Sequence, residues 1–206
     1  MPTHAVLLPV KPPARGKSRL SAVPPRERAA LARAFALDTA EACLASASVA
    51  SVLVVTDDVP FATEATALGC AAIPDGTSGD LNASLRLAAA EAVRRWPDLV
   101  PVALCGDLPA LRSADLDAAL GSVPLGSPAY VADAVGTGTT LYTAPIDAFV
   151  PAFGVDSARL HAAVATAITG ELASLRHDVD TLDDLLAVRS LGLGPRTALA
   201  VLQAGL

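Results

Sequence analysis

The chain has 206 residues, a net charge of −6 and a composition that is 52% hydrophobic. That length suits one domain, 1–206, and is short for two. The acidic balance argues against nonspecific nucleic-acid binding, although local cations or a metal can still reverse the potential in a cleft that takes small anions. No apolar run approaches the roughly 18 residues of a spanning helix, and the N-terminus lacks a basic segment followed by an apolar one, so a soluble, cytoplasmic protein with no membrane partner is expected.

In chain order, Ala5–Val10 reads as a buried strand and Pro24–Ala47 as a long helix, with Leu31, Phe35 and Leu44 at helical spacing. Ser51–Val55 is a second strand, Pro60–Leu68 a helix closed by Gly69, and Cys70–Ile73 a third strand. Leu81–Trp96 is a helix, Val100–Cys105 a fourth strand, and Ser113–Leu120 a helix with Ser113 as its expected cap. Ala129–Asp133 and Thr139–Thr143 are strands around a glycine-threonine turn. Ser157–Ile168 is expected as one helix, capped by Asp156 or Ser157, and Leu172–His177 as a last strand. A capped helix within DVDTLDDLLAVRSLG and another over Arg196–Leu202 finish the chain. The β-α alternation predicts a doubly wound α/β fold with a mostly parallel sheet, and the strand-turn-strand near 129–143 makes it mixed.

Ligands in such sheets bind beyond the carboxyl ends of the strands. The loop after the first strand carries Lys11, Arg15, Lys17 and Arg19, and Lys11 and Lys17 are the only lysines in the chain. Cations that close repel one another unless an anion joins them, and phosphates suit both the arginine fork and the lysine point charge. The plainer alternative is a solvated basic loop. Neither GxxxxGK[ST] nor GxGxxG is present, which disfavours a P-loop or a standard dinucleotide site.

Asp107, in Gly106-Asp107-Leu108-Pro109, ends an apolar strand and is either a magnesium ligand or a helix cap. Asp178 and Asp180 share one side of an extended segment, where Asp180 or Thr181 could instead cap the following helix. Gly136-Thr137-Gly138-Thr139-Thr140 offers backbone access and hydroxyls for phosphate or carboxylate, or is a plain hairpin. The helix start after Phe153-Gly154-Val155-Asp156-Ser157 is an anion site or an ordinary cap. Asn82, in Asp80–Leu85, has a donor and an acceptor that suit a nucleobase edge or ribose, with Asp75 on the same loop. Cys43, Cys70 and Cys105, and His4, His161 and His177, are scattered and suggest neither a disulfide framework nor a metal cluster.

Taken in order, PVKPPARGKSRL, DLNASL, GDLPAL, GTGTT, FGVDSARLHAA and DVDTLDDL resemble the guanylyltransferases of deazaflavin coenzyme F-420 biosynthesis, which act on 2-phospho-L-lactate or phosphoenolpyruvate. The resemblance spans nearly the whole chain. It implies a single GT-A-like nucleotidyltransferase domain that uses GTP and magnesium. Asp107 and Asp180, with Asp178 as a second candidate, would hold the metals, and Lys17 and Asp107 would be the catalytic pair. Lys11, Lys17 and Arg19 would face the GTP phosphates, with Asn82 near the nucleoside. Thr139, Gly154 and Ser157 would bind the phosphoenolpyruvate-type acceptor. Gly106 stands where the family often has alanine. Other acceptors in the same chemistry are 2-phospho-L-lactate, 3-phosphoglycerate or a molybdopterin phosphate, and a different class of reading is a noncatalytic nucleotide-binding regulator.

Overall fold

The fold comes from a computed structural model that describes residues 1, 3–12, 20, 22–77 and 79–206. Chain order is β1 (His4–Pro9), α1 (Pro25–Leu44), β2 (Val49–Val55), α2 (Val59–Leu68), β3 (Ala71–Ile73), α3 (Leu81–Arg95), β4 (Val100–Leu104) and α4 (Ser113–Gly121). Then follow β5 (Ala129–Ala132), β6 (Thr139–Thr143), α5 (Ser157–Ala162), β7 (Thr166–Ala167), α6 (Ala173–Arg176), α7 (Leu182–Val188) and α8 (Pro195–Gln203).

The strands form one seven-stranded sheet in the order β3-β2-β1-β4-β6-β5-β7. β3, β2, β1 and β4 are mutually parallel, whereas β6 runs antiparallel to both β4 and β5. Alternate residues of the parallel strands feed opposite faces. Val6, Leu8, Val52, Val54, Val102 and Leu104 pack with α1 and α4 on one side. Ala5, Leu7, Leu53, Val55 and Ala103 pack against α3 on the other, where Ala88, Ala89 and Ala92 let the helix lie close. Both faces are covered, which is why these strands read as nearly continuous apolar runs. A third cluster, including Phe35, Val179, Leu185 and Val201, seats α7 and α8 on the outer side of α1. Asp38 of α1 fixes that arrangement by accepting from the backbone N–H groups of Arg196 and Thr197 at 3.2 and 2.7 Å, at the start of α8.

Strand order reverses between β1 and β4, because β2 lies on one side of β1 and β4 on the other. The chain therefore parts at the carboxyl ends of β1 and β4 and opens a crevice there. The fold thus brings together Val10 and Lys11, just after β1, and the Cys105–Asp107 segment after β4. Among the described residues, no helix is long and apolar enough to cross a membrane.

Three local expectations are corrected. Residues 157–168 do not form one helix: α5 stops at Ala162, and the backbone N–H groups of Val164 and Ala165 turn back onto the His161 carbonyl. Thr166–Ala167 then pairs in parallel with β5. Residues 172–177 contain the short helix α6 instead of a strand, and the Arg176 guanidinium reaches back to the carbonyls of Ala132 and Ile168, both at 2.9 Å. Ser113 is the first residue of α4 and not its cap, which is Arg112 without a side-chain capping bond. The α7 start is built as the sequence suggests: Thr181 caps it in a reciprocal capping box with Asp184.

Candidate active site

Two neighbouring cavities open at the crevice. The smaller, about 270 Å³, is lined by Pro9, Val10, Lys11, Gly106, Asp107 and Asp180, among others. The larger, about 640 Å³, shares Pro9, Val10, Lys11 and Leu81 with it and extends to Asp57, Asp75 and Ser84. Lys11 therefore stands on the wall common to both, and its side is exposed to them. Lys17 and Arg19, with Arg15, lie outside the described residues.

Backbone geometry brings the two distant carboxylates together. The Val179 N–H donates to the Asp107 carbonyl at 3.0 Å, which lays the 178–180 segment along the Asp107 loop. Val179 is fully buried, so Asp178 and Asp180, one residue to either side, turn away from the core; both are half-buried. Asp180 lines the same cavity as Asp107. The Asp107 loop is itself pinned to α1, because the Leu108 N–H donates to Thr39 Oγ1 at 3.1 Å. Gly106 allows the close approach: a Cβ there would lie 3.1 Å from the Pro9 carbonyl oxygen and 3.3 Å from Val10 Cγ2.

This donor set fits magnesium. The cation is hard, prefers oxygen, and is commonly held by one or two carboxylates while water and substrate phosphates complete its octahedron. Among the described residues no group of three or more His, Cys, Asp or Glu forms a fuller cage. Asp107 and Asp180 could thus hold such an ion only in partnership with a ligand.

Thr139, Gly154 and Ser157 are tied to the Cys105–Asp107 segment by a chain of hydrogen bonds and are not among the residues that line the two cavities. Cys105, two residues before Asp107, donates its thiol to the Thr139 carbonyl at 3.4 Å. The Ala158 N–H donates to the Thr137 carbonyl at 3.0 Å, joining the start of α5 to the glycine-threonine turn. Gly154 has φ +131°, a conformation that favours glycine, and its carbonyl accepts from the Ser157 N–H. Thr139 and Ser157 are both buried. The turn between β5 and β6 holds its own anion: the Asp133 carboxylate accepts from the N–H groups of Gly136, Thr137 and Gly138 at 2.6, 3.0 and 2.9 Å. Those amides are therefore engaged, and a Cβ at Gly138 would overlap that carboxylate.

Asn82 joins the two sides. Its Nδ2 donates to the Phe153 carbonyl at 3.0 Å and its Oδ1 accepts from the Phe153 N–H at 2.8 Å. The sequence reading gives this amide a nucleoside to recognise, whereas in the fold both of its ends grip the loop that carries Gly154. Ser84, two residues on, is buried on the wall of the larger cavity, and its Oγ has no hydrogen-bond partner among the described residues. Ser84, Asp133 and the buried His161 are the polar residues of this region that sequence reasoning missed. The i, i+4 spacing of Ser157 and His161, which puts both on one face of α5, was the available signal for the last.

A family model described as "Guanylyl transferase CofC like" matches residues 4–170. The chain belongs to this family. Among its relatives, the phosphoenolpyruvate guanylyltransferase of Thermomonospora curvata is 48% identical over 200 residues, covering 95% of this chain and 87% of the relative. That of Salinispora arenicola is also 48% identical, over 94% of this chain and 91% of its own. Among solved structures, one assigned as a nucleotide-diphospho-sugar transferase of Desulfovibrio desulfuricans superposes with a TM-score of 0.72 at 19% identity, covering 97% of this chain and 94% of that one. A 4-diphosphocytidyl-2C-methyl-D-erythritol synthase gives 0.61 at 13% identity, over 93% and 99%. These structures establish the fold as that of the nucleotidyltransferases, and the guanylyl transferase family supplies the activity class.

Proposed function

We propose that this guanylyl transferase moves GMP from GTP to phosphoenolpyruvate, releasing pyrophosphate and forming an enolpyruvyl-diphospho-guanosine. The observation that carries the reading is the crevice at the strand-order reversal, where Asp107, Asp180 and Lys11 line one cavity next to a larger one. The names of the relatives supply the acceptor. The neutral set of buried Thr139 and Ser157 with the exposed Gly154 suits a small phospho-acid.

The larger cavity takes the nucleoside, and Lys11 faces the triphosphate, with Lys17 and Arg19 of the same loop as its companions. The acceptor sits against Thr139, Gly154 and Ser157. One of its phosphate oxygens attacks the α-phosphorus, and the bond from that phosphorus to the bridging oxygen breaks. The electron pair leaves with pyrophosphate. A phosphate monoester has a second pKa near 6 and is already anionic at neutral pH, so no side chain has to remove a proton. What the protein must do is hold two anions at reacting distance, and positioning of that kind contributes roughly 7–11 kcal/mol. Magnesium held by Asp107 and Asp180, with Asp178 beside them, would supply charge neutralisation between the two phosphorylated reactants.

Pyrophosphate release measured with GTP and each acceptor tests this. Release with phosphoenolpyruvate, well above that with 2-phospho-L-lactate or 3-phosphoglycerate, is expected. Release with one of the others alone would reassign the acceptor, and none with any of them would favour a noncatalytic nucleotide-binding role.

A further inference from the structure

His161 lies on α5, four residues after Ser157, and is fully buried. Its ring stacks on Tyr142 with centroids 4.5 Å apart, and Phe153 meets it edge-on at 5.3 Å. Burial lowers its pKa from 6.5 to about 4, so the ring is neutral at physiological pH. A neutral imidazole carries one proton, and its partners decide where. The Ala152 N–H, which can only donate, points at Nε2 from 2.9 Å. Nε2 therefore offers a lone pair and the proton sits on Nδ1.

Nδ1 is 2.9 Å from Thr139 Oγ1. With the proton on Nδ1, Thr139 Oγ1 must accept. Its own hydroxyl hydrogen then has to point elsewhere, and among the described residues Thr139 Oγ1 makes no hydrogen bond other than that to Nδ1. The opposite tautomer would draw that hydrogen into the ring and leave oxygen lone pairs facing an incoming anion.

We propose that His161 is a positioning residue for the acceptor: held as the Nδ1–H tautomer, it makes Thr139 a hydrogen-bond donor toward an anionic oxygen of the acceptor and, through Ala152, sets the entry into the Phe153–Gly154 turn. The inference rests on the reading that Thr139, Gly154 and Ser157 hold the acceptor. A hydrogen bond to a charged group contributes enough that its loss weakens binding by roughly 10- to 100-fold.

Two measurements test it. In ¹⁵N-labelled protein near neutral pH, long-range proton–nitrogen spectra should show an unprotonated Nε2 and a protonated Nδ1 for the histidine whose signals vanish in His161→Phe. A proton on Nε2 of that residue overturns the proposal without reference to activity. In kinetics, His161→Phe should raise KM for phosphoenolpyruvate roughly 10- to 100-fold and leave KM for GTP unchanged. His161→Asn, whose amide can still donate near the Nδ1 position, should recover part of that loss. Combined with Thr139→Val, the His161→Phe effect should largely disappear, because both variants remove the same donor. If Thr139→Val raises the acceptor KM but the two effects simply add, the His161 proposal fails and the acceptor site stands. If Thr139→Val leaves both KM values alone, the acceptor site fails and His161 with it.

Discussion

The two halves of the sheet are built on different principles, and they meet at the crevice. On the β3-β2-β1 side the strands are parallel, each returns through a helix, and the ends open into a cavity of about 640 Å³ lined by loops. On the β4-β6-β5 side the strands are antiparallel, and Thr139, Tyr142, Ser157 and His161 pack in a buried, hydrogen-bonded group. The first half can admit a large ligand by leaving space. The second must fix a few polar atoms, since a buried hydroxyl or imidazole without a partner is costly. Under the proposed function, the first half is the nucleotide side, made of space and charge, and the second the acceptor side, made of oriented dipoles.

That contrast can be broken by substitutions placed on, or to either side of, the junction. The largest effect is expected at the junction itself. Asp107→Asn should lower the rate of pyrophosphate release by about 10²–10³ or more, in line with removal of a group that stabilises developing charge. Its thermal midpoint should stay near that of the parent, because the backbone carbonyl that binds Val179 is untouched. A variant with full activity would remove Asp107 from the chemistry. Lys11→Ala, on the nucleotide side, should raise KM for GTP by roughly 10-fold, the loss of a charge-assisted contact, with KM for phosphoenolpyruvate unchanged. Equal effects on both substrates would dissolve the division.

Asn82→Ala sharpens the comparison, because its amide has both a nucleoside reading and a bonded backbone partner. On α3 it looks like a nucleoside contact, yet its amide bonds the Phe153 backbone. It should therefore raise KM for phosphoenolpyruvate, by roughly 5- to 10-fold from about 1 kcal/mol of lost loop anchoring, more than KM for GTP. A larger effect on GTP would return it to the nucleotide side.

The smallest expected effect is on acid stability. The folded pKa of His161 is lowered to about 4 from 6.5 by burial. Between those values the unfolded chain binds the proton that the folded chain refuses, so stability is fully present above pH 6.5 and falls as pH drops toward 4. His4, also lowered by burial, acts in the same direction. Denaturant midpoints measured between pH 7 and pH 4 should therefore decline less in His161→Phe than in the parent, and identical slopes would show that His161 does not carry a depressed pKa.

The legibility of the sequence follows the same division. The parallel half was readable because its strands are buried on both faces and its helices carry local signals: Asp80 and Asp58 cap α3 and α2, and Gly69 closes α2 in the left-handed conformation. Asp107 could be placed at a strand end for the same reason. The antiparallel half was less readable because its geometry depends on contacts distant in sequence. Residues 157–168 have helical spacing, but Thr166 and Ala167 pair with β5. Residues 172–177 look extended, but the backbone N–H and hydroxyl of Ser174 both donate to Asp115, and the Arg112 N–H donates to Ser174 Oγ. A lone histidine with no metal-binding neighbours in the sequence gave no hint that the Ala152 N–H would fix its tautomer against Thr139. Asp133, read as the end of a strand, also organises the following turn through three amides.

A crystal structure with a nonhydrolysable GTP analogue, phosphoenolpyruvate and magnesium tests the central claim most directly. The triphosphate should lie along Lys11, phosphoenolpyruvate should bond Thr139 and Ser157, and the α-phosphate should face it across Asp107 and Asp180. Phosphoenolpyruvate seated away from Thr139 and Ser157, or a triphosphate that does not reach the Asp107–Asp180 cavity, would contradict it.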